Sequence, residues 1–198
     1  MANRSDEHIE LVAVSKGRSA EEIEPLILAG QRNFGENRVQ EALGKWPSLL
    51  ERHQDVRLHA IGRLQSNKVG DVVKLFDTIH SVDRVSLVEA IAKEARKQAR
   101  FPSVFVQVNI GEEEQKGGCR IDDVSNLLDA VRASPLRLAG LMAIPPRDVQ
   151  PTPYFALLAK IAHRHGLDGL SIGMSSDFTA AVLLGATVVR IGTALFEG

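Results

Sequence analysis

Lys16 is the residue that most directly suggests covalent chemistry, because it stands immediately after a short apolar run, residues 11–15 (LVAVS). Such a run is typical of a buried strand, so we expect the lysine at the rim of the core. A partly desolvated lysine loses its proton more readily and becomes an amine nucleophile, the group that forms Schiff bases with carbonyl compounds. The alternative is a solvated loop lysine, since the chain contains 24 lysines and arginines.

A second group of residues, near the C-terminus, suggests that an anion is bound. Ser175 and Ser176 precede a segment of helical period, and Gly192 and Thr193 stand at the end of the last apolar run. Free backbone N–H groups at the start of a helix attract an anion, and a glycine lets the backbone approach a ligand closely. We call these four residues the phosphate cradle. The alternative is a helix cap and a turn that bind no ligand.

Arg190 is a lone charge within the last apolar run, VVRIG, two residues before Gly192. A guanidinium inside a strand needs a partner or a ligand. If Arg190 points to the same side as Gly192, it can reach a ligand that is bound at the phosphate cradle. The alternative is an ion pair deeper in the protein.

Eight short apolar runs position these residues, and segments of helical period separate the runs. Strands that alternate with helices pair in parallel, and eight such units predict a single α/β domain over residues 1–198, a (β/α)8 TIM barrel. A doubly wound open sheet is the rival, but no Gly-x-Gly-x-x-Gly follows the first run. The predicted barrel is lean at both termini, and too few residues follow the eighth run for a closing helix. The predicted strands cover residues 11–15, 33–35, 58–62, 78–82, 103–110, 138–144, 170–174 and 188–192.

Closure of the barrel brings the two chemical groups together. Strand eight pairs with strand one in a closed barrel, so Lys16 is expected beside the phosphate cradle, about one inter-strand spacing of roughly 5 Å away. An amine next to an anion site suits an aldehyde that carries a phosphate: pyridoxal 5′-phosphate, or else a sugar phosphate. If the ligand is pyridoxal phosphate and Arg190 points to the side of Gly192, its guanidinium could reach the pyridine nitrogen. A cation there disfavours protonation of the ring and weakens it as an electron sink.

Composition and charge exclude several other classes of function. Lysines and arginines number 24 against 25 acidic residues, so we expect no nucleic-acid or membrane partner. No apolar run reaches the roughly 18 residues of a membrane span, and the polar N-terminus shows no targeting signal. A single cysteine excludes an internal disulfide, and the histidines show no metal-ligand spacing. We therefore expect a cytoplasmic protein that binds a small molecule and no metal.

Eight motifs spread over residues 11–196 resemble those of the pyridoxal phosphate homeostasis proteins, a family with the barrel of the alanine racemase N-terminal domain. The motifs are AVSK (13–16), FGENRVQE (34–41), IGRLQSNK (61–68), SVDR (81–84), QVNIGEEEQKGG (107–118), GLMAIPP (140–146), SIGMSSDF (171–178) and VVRIGTALF (188–196).

The resemblance implies a single-domain protein that buffers or delivers pyridoxal 5′-phosphate, with no established turnover. Lys16 would bind the cofactor through a Schiff base, the phosphate cradle would hold the phosphate, and Arg190 would face the pyridine nitrogen. Asn37 would lie beside the cofactor ring. The implied cofactor-binding residues are Lys16, Asn37, Ser175, Ser176, Arg190, Gly192 and Thr193.

Three functions remain open at this point: a pyridoxal phosphate carrier, a pyridoxal phosphate enzyme such as a racemase or decarboxylase, and a Schiff-base aldolase of sugar phosphates. A racemase needs a second base opposite the lysine. The one tyrosine, Tyr154, is expected to pack at a helix start, and His59 and His80 are expected within strands, not fixed near the cofactor. These features favour the carrier, as a monomer or weak homodimer.

Overall fold

Eight parallel strands close into one barrel in a computed structural model, which describes residues 9–196. Strand order follows chain order, and the last strand pairs with the first, so the predicted TIM barrel is confirmed. The polar N-terminal segment in which no targeting signal was found lies outside the described residues, apart from its last two. The strands are β1 (Glu10–Val14), β2 (Asn33–Glu36), β3 (Arg57–Ala60), β4 (Thr78–Val82), β5 (Ser103–Gln107), β6 (Arg137–Met142), β7 (Leu170–Ser171) and β8 (Val188–Ile191).

A helix follows each strand, and the buried faces of the helices form the main apolar core with the outward side chains of the strands. The first helix begins at a capping box in which Ser19 and Glu22 satisfy each other's backbone N–H groups. Within residues 9–196 no helix is both long enough and apolar enough to cross a membrane. The helices are α1 (Ala20–Leu28), α2 (Val39–Arg52), α3 (Val69–Leu75), α4 (Val85–Gln98), α5 (Val124–Arg132), α6 (Thr152–Arg164), α7 (Phe178–Leu183) and α8 (Thr193–Phe196).

Two strands, β5 and β7, each end three residues earlier than predicted, and one helix was not predicted. β5 ends at Gln107 because Val108 instead bridges to Cys119, which turns the chain away from the sheet. β7 ends at Ser171, and two residues later Gly173 has a φ of +95°, a conformation that glycine adopts without strain. The residues after β8 form the single turn of α8, although they are too few for a full closing helix.

The pairing of β8 with β1 sets the register that matters for the site. Arg190 lies opposite Val12, and Ile191 lies opposite Ala13. The chain that leaves β8 therefore emerges beside the chain that leaves β1. Because both strands are parallel, their carboxyl ends open at the same face of the barrel.

Candidate functional site

The seven residues predicted from the sequence line one cavity at the carboxyl end of the barrel. This cavity, which we call the lysine cavity, has a volume of about 1440 Å³ and is also bounded by the loop after β6. That volume accommodates a small-molecule ligand. The predicted residues on its wall are Lys16, Asn37, Ser175, Ser176, Arg190, Gly192 and Thr193.

Lys16 lies in the turn that follows β1, on the rim of the lysine cavity. Its neighbour Ser15 is fully buried, and the N–H of Gly17 donates to Oε1 of Glu41. The Lys16 side chain is exposed, not partly desolvated as expected, because the turn carries it beyond the edge of the packed core. Its ammonium group has no hydrogen bond or ion pair with any residue in 9–196, so it is available to a ligand.

A buried lysine that was not predicted from the sequence holds this turn in place. Lys45, on α2, donates to the carbonyl oxygens of Ser15 at 2.7 Å and Arg18 at 3.0 Å, on either side of the turn. Its Nζ also forms ion pairs with Glu36 and Glu41, each at 2.9 Å. A Glu–Lys pair four residues apart is common on solvated helix faces, so the sequence spacing gave no sign of burial.

The phosphate cradle presents free backbone donors to the lysine cavity. Oγ of Ser175 accepts the N–H of Gly192 at 3.4 Å, which links the two halves of the cradle. Across the described chain, the N–H groups of Ser175, Ser176 and Thr193 have no hydrogen-bond acceptor. A Cβ on Gly192 would come no closer than 3.4 Å to any atom of Val14, so barrel packing alone does not demand a glycine there. Free donors beside an open glycine fit a phosphate group.

Arg190 reaches the wall of the lysine cavity from β8, although its side chain is almost completely buried. Its NH1 donates to both oxygens of Ser171, the carbonyl and the hydroxyl, and its NH2 donates to the carbonyl oxygen of Ala143 at 3.3 Å. No salt bridge engages it within residues 9–196, so the deeper ion pair considered as an alternative is not what holds it. Burial lowers the pKa of the guanidinium to about 10, which leaves it charged at neutral pH.

Two buried histidines connect Arg190 to the opposite end of the barrel. Nδ1 of His80 lies 2.8 Å from Oγ of Ser171, and its Nε2 lies 2.9 Å from Nδ1 of His59, whose Nε2 is 3.5 Å from Oε1 of Glu10. Burial lowers the pKa of His59 to about 4. Burial also holds the pKa of His80 well below its usual value, and the proximity of His59 and Arg190 adds to this. Both imidazoles are therefore neutral at pH 7.

Asn37 and Lys116 complete the polar part of the wall. Asn37 is exposed after β2, and a Cβ on Gly62 would lie only 2.1 Å from its carbonyl oxygen, so the loop after β3 packs directly on its backbone. Lys116 was not predicted from the sequence. It donates to the carbonyl oxygen of Pro145 at 3.0 Å and pairs with Glu113 at 2.6 Å. Lys16 is thus the lysine of this cavity that has no partner among the described residues.

Other reactive groups lie away from this wall. Tyr154 is half-buried and packs against the main apolar core, as expected for a helix-start residue. Burial raises the pKa of the Cys119 thiol to about 12, so this thiol stays protonated at neutral pH. Within residues 9–196, no group of three or more histidine, cysteine, aspartate or glutamate side chains is arranged to hold a metal ion.

The fold and the cavity define a class of protein: a (β/α)8 barrel with an unpaired lysine after its first strand and free backbone N–H groups after its last two, on one cavity wall. The family model for the alanine racemase N-terminal domain matches residues 1–198. The pyridoxal phosphate homeostasis protein of Pseudomonas aeruginosa is 41% identical over 98% of this chain and 86% of its own length, and that of Escherichia coli K12 is 39% identical over 98% and 87%.

A solved structure also matches this chain over almost its full length. PipY of Synechococcus elongatus with PLP bound superimposes with a TM-score of 0.90 at 36% identity, covering 98% of this chain and 94% of that one. The chain therefore belongs to the pyridoxal phosphate homeostasis protein family, within the proteins that carry the alanine racemase N-terminal domain.

Proposed function

We propose that this chain is a single-domain protein, residues 1–198, that binds pyridoxal 5′-phosphate and buffers or delivers it as part of intracellular cofactor homeostasis. The observation that carries the proposal is the common cavity: the free ammonium of Lys16 and the free N–H groups of the phosphate cradle face one space where β8 closes against β1. The relatives named for pyridoxal phosphate homeostasis, and the PLP-bound structure of PipY, support it.

Each wall residue has a definite part in this proposal. Lys16 would bind the aldehyde carbon, while the phosphate cradle would donate N–H groups to the phosphate oxygens. Arg190 would face the pyridine nitrogen, and Asn37 would lie beside the ring. When bound, pyridoxal phosphate supplies an aldehyde that reacts with primary amines and a ring that can withdraw electrons.

Two features favour storage of the cofactor over turnover. Arg190 is held by oxygens of Ser171 and Ala143 and keeps its charge at neutral pH, so it opposes protonation of a nitrogen placed against it. A ring that stays unprotonated withdraws electrons weakly. Tyr154, the tyrosine considered as a second base, packs on the apolar core away from the cavity wall.

The rest of the proposal concerns surroundings and assembly. A single buried thiol, Cys119, fits the reducing cytoplasm, and the nearly balanced charge gives no basis for a nucleic-acid partner. We place the protein in the cytoplasm, as a monomer or a weak homodimer, with a small molecule as its ligand.

Borohydride reduction followed by peptide mass spectrometry tests the assignment directly. The protein is mixed with pyridoxal phosphate, its visible absorbance is recorded, and the reduced protein is digested. We expect a visible band and a modified Lys16 peptide, both absent in Lys16→Ala. The matched control is Lys116→Ala, which removes the other lysine of the cavity wall and should keep the Lys16 adduct.

Three results would contradict the proposal. A band that survives Lys16→Ala would refute the site, and racemisation of free alanine at ordinary enzyme rates would refute the carrier. No visible band, together with cleavage of a sugar phosphate that depends on Lys16, would favour the aldolase instead.

A further inference from the structure

A second cavity, which we call the basic cavity, opens at the same end of the barrel over β2, β3 and β4. Its volume is about 1230 Å³, and Asn37 lies on the wall of both cavities. The basic cavity is thus the neighbour of the lysine cavity, not a distant surface feature. Its charged wall residues are Arg38, Glu41, Arg63, Lys68, Asp83 and Arg84.

Both carboxylates of the basic cavity are already engaged by other cations. Oδ1 of Asp83 lies 2.6 Å from NH1 of Arg84, and Oε1 of Glu41 lies 2.9 Å from Nζ of the buried Lys45. The direct ion pair of Glu41 is thus with Lys45, and Arg38 interacts with that carboxylate only at longer range.

The other three cations have no such partner. The side chains of Arg38, Arg63 and Lys68 make no hydrogen bond or salt bridge with any residue in 9–196. Three positive charges therefore share one concave surface, in a chain whose formal net charge is −1. A cleft lined by charge of one sign concentrates ions of the opposite sign.

The loop that carries two of these cations is fixed in place by its own contacts. NH2 of Arg84 donates to the carbonyl oxygen of Leu64 at 3.4 Å and to Oγ of Ser66 at 3.1 Å, and Leu64 is itself buried. At the start of the loop, Gly62 packs against the backbone of Asn37 so closely that no side chain fits there. These contacts hold in place the backbone that carries Arg63 and Lys68, although the like charges of these two residues repel each other.

We propose that the basic cavity binds a small molecule with at least two negative charges, of the phosphate-ester or dicarboxylate class. Arginine and lysine side chains are the groups that bind such anions through charge-assisted hydrogen bonds. The phosphate cradle lies after β7 and β8, Lys16 after β1, and the basic cavity after β2 to β4, so the ligand sits beyond the lysine on the side away from the cradle. That placement relative to the cofactor rests on the proposed function, whereas binding of the anion does not.

Calorimetric titration of the full-length, cofactor-loaded protein with pyrophosphate, and separately with succinate, tests the proposal. It is done at low ionic strength, because salt screens such contacts. The test variant is Arg63→Gln/Lys68→Gln. The matched control is Lys93→Gln/Arg96→Gln, which removes one lysine and one arginine from the exposed face of α4 and changes the net charge equally.

We expect at least one of the two anions to bind the wild-type protein. Its affinity should fall by at least about tenfold in the test variant, because each lost charge-assisted contact is worth on the order of that factor. In the control variant the affinity should fall by less than about twofold. The anion that binds identifies the ligand class. Equal urea midpoints of unfolding show that both variants are folded.

Other outcomes overturn the proposal. No binding of either anion, or equal weakening in both variants, shows that the three cations are a solvated rim and not a site. Loss of the cofactor's visible absorbance during the titration shows that the anion has entered the phosphate cradle instead. If the protein carries no cofactor, the anion titration is still decisive for the basic cavity, so the two proposals fail separately.

Discussion

Acidification from pH 7 to pH 5 should destabilise this protein strongly, because two histidines are buried as neutral bases. The pKa of His59 falls from its usual 6.5 to about 4 on folding, and that of His80 falls well below 6.5. The unfolded chain, in which both side chains are solvated, binds their protons already near pH 6.5. Their contribution to stability is therefore complete above pH 6.5 and is lost as the pH falls towards the folded-state pKa.

The size of the loss follows from these values. For His59, the free energy of unfolding should fall by about 2 kcal/mol between pH 7 and pH 5, because the unfolded chain gains almost a full proton over most of that interval. His80 should add to this loss, because burial also holds its folded-state pKa well below 6.5. Burial raises the pKa of Glu10, the carboxylate facing His59, so its uptake of a proton in the folded state works in the opposite direction. The loss from His59 alone is already an appreciable part of the stability of an ordinary domain.

Urea unfolding at pH 7, 6 and 5 measures this loss. In His59→Asn, which removes one of the two buried rings, the fall in the free energy of unfolding over the same interval should be smaller by about 2 kcal/mol. The control is His163→Gln, which removes an exposed imidazole on α6 and should keep the wild-type dependence on pH. A wild-type loss below about 1 kcal/mol, or the same loss in His59→Asn as in the wild type, would refute the claim that these rings are held neutral.

Three further predictions follow from the packing of individual side chains. Lys45→Met should lower the free energy of unfolding in urea by about 3–5 kcal/mol, because the buried Glu36 carboxylate loses its cation. Adding Glu36→Gln should restore part of this loss. Full stability of the single variant would show that the Lys45–Glu36 ion pair does not stabilise the protein. Gly62→Ala should lower the free energy of unfolding by about 1–3 kcal/mol, because a Cβ there would collide with the backbone. Gly44→Ala, where a Cβ meets no atom, should raise it by up to about 1 kcal/mol. Equal effects of the two substitutions would exclude the close approach at Gly62. Cys119 should react with a thiol reagent far more slowly in the folded protein than in urea, and equal rates would show that it is accessible.

Much of the barrel could be predicted from the sequence, because its strands are short apolar runs that alternate with helical period. The ends of the strands could not. β5 was expected to reach Ile110, but Val108 pairs with Cys119 eleven positions later along the chain, a contact that no local pattern reveals. The single turn of α8 was missed because its few residues carry no helical period.

Part of the candidate site could be predicted from the sequence, and part could not. Lys16 and the phosphate cradle follow strands, so the parallel barrel alone predicts that they meet at one end. Lys45 was missed because its burial depends on carbonyl groups of Ser15 and Arg18, about thirty positions earlier in the chain. The link from His80 to Ser171 spans 91 positions and exists only because the sheet closes. Periodicity predicts which elements form, whereas these polar contacts depend on which elements become neighbours.

The polar interior of the barrel explains why Arg190 can be held without a carboxylate. A buried cation is costly unless its donors are satisfied, and here the oxygens of Ser171 and Ala143 accept them. The ring of His80 contacts Ser171 and stays neutral, so it adds no second positive charge beside the guanidinium. Arg190 is therefore a fixed cation at the cavity wall, whose charge does not change across the physiological pH range. A ligand nitrogen placed against it would face the same positive charge at pH 6 as at pH 8.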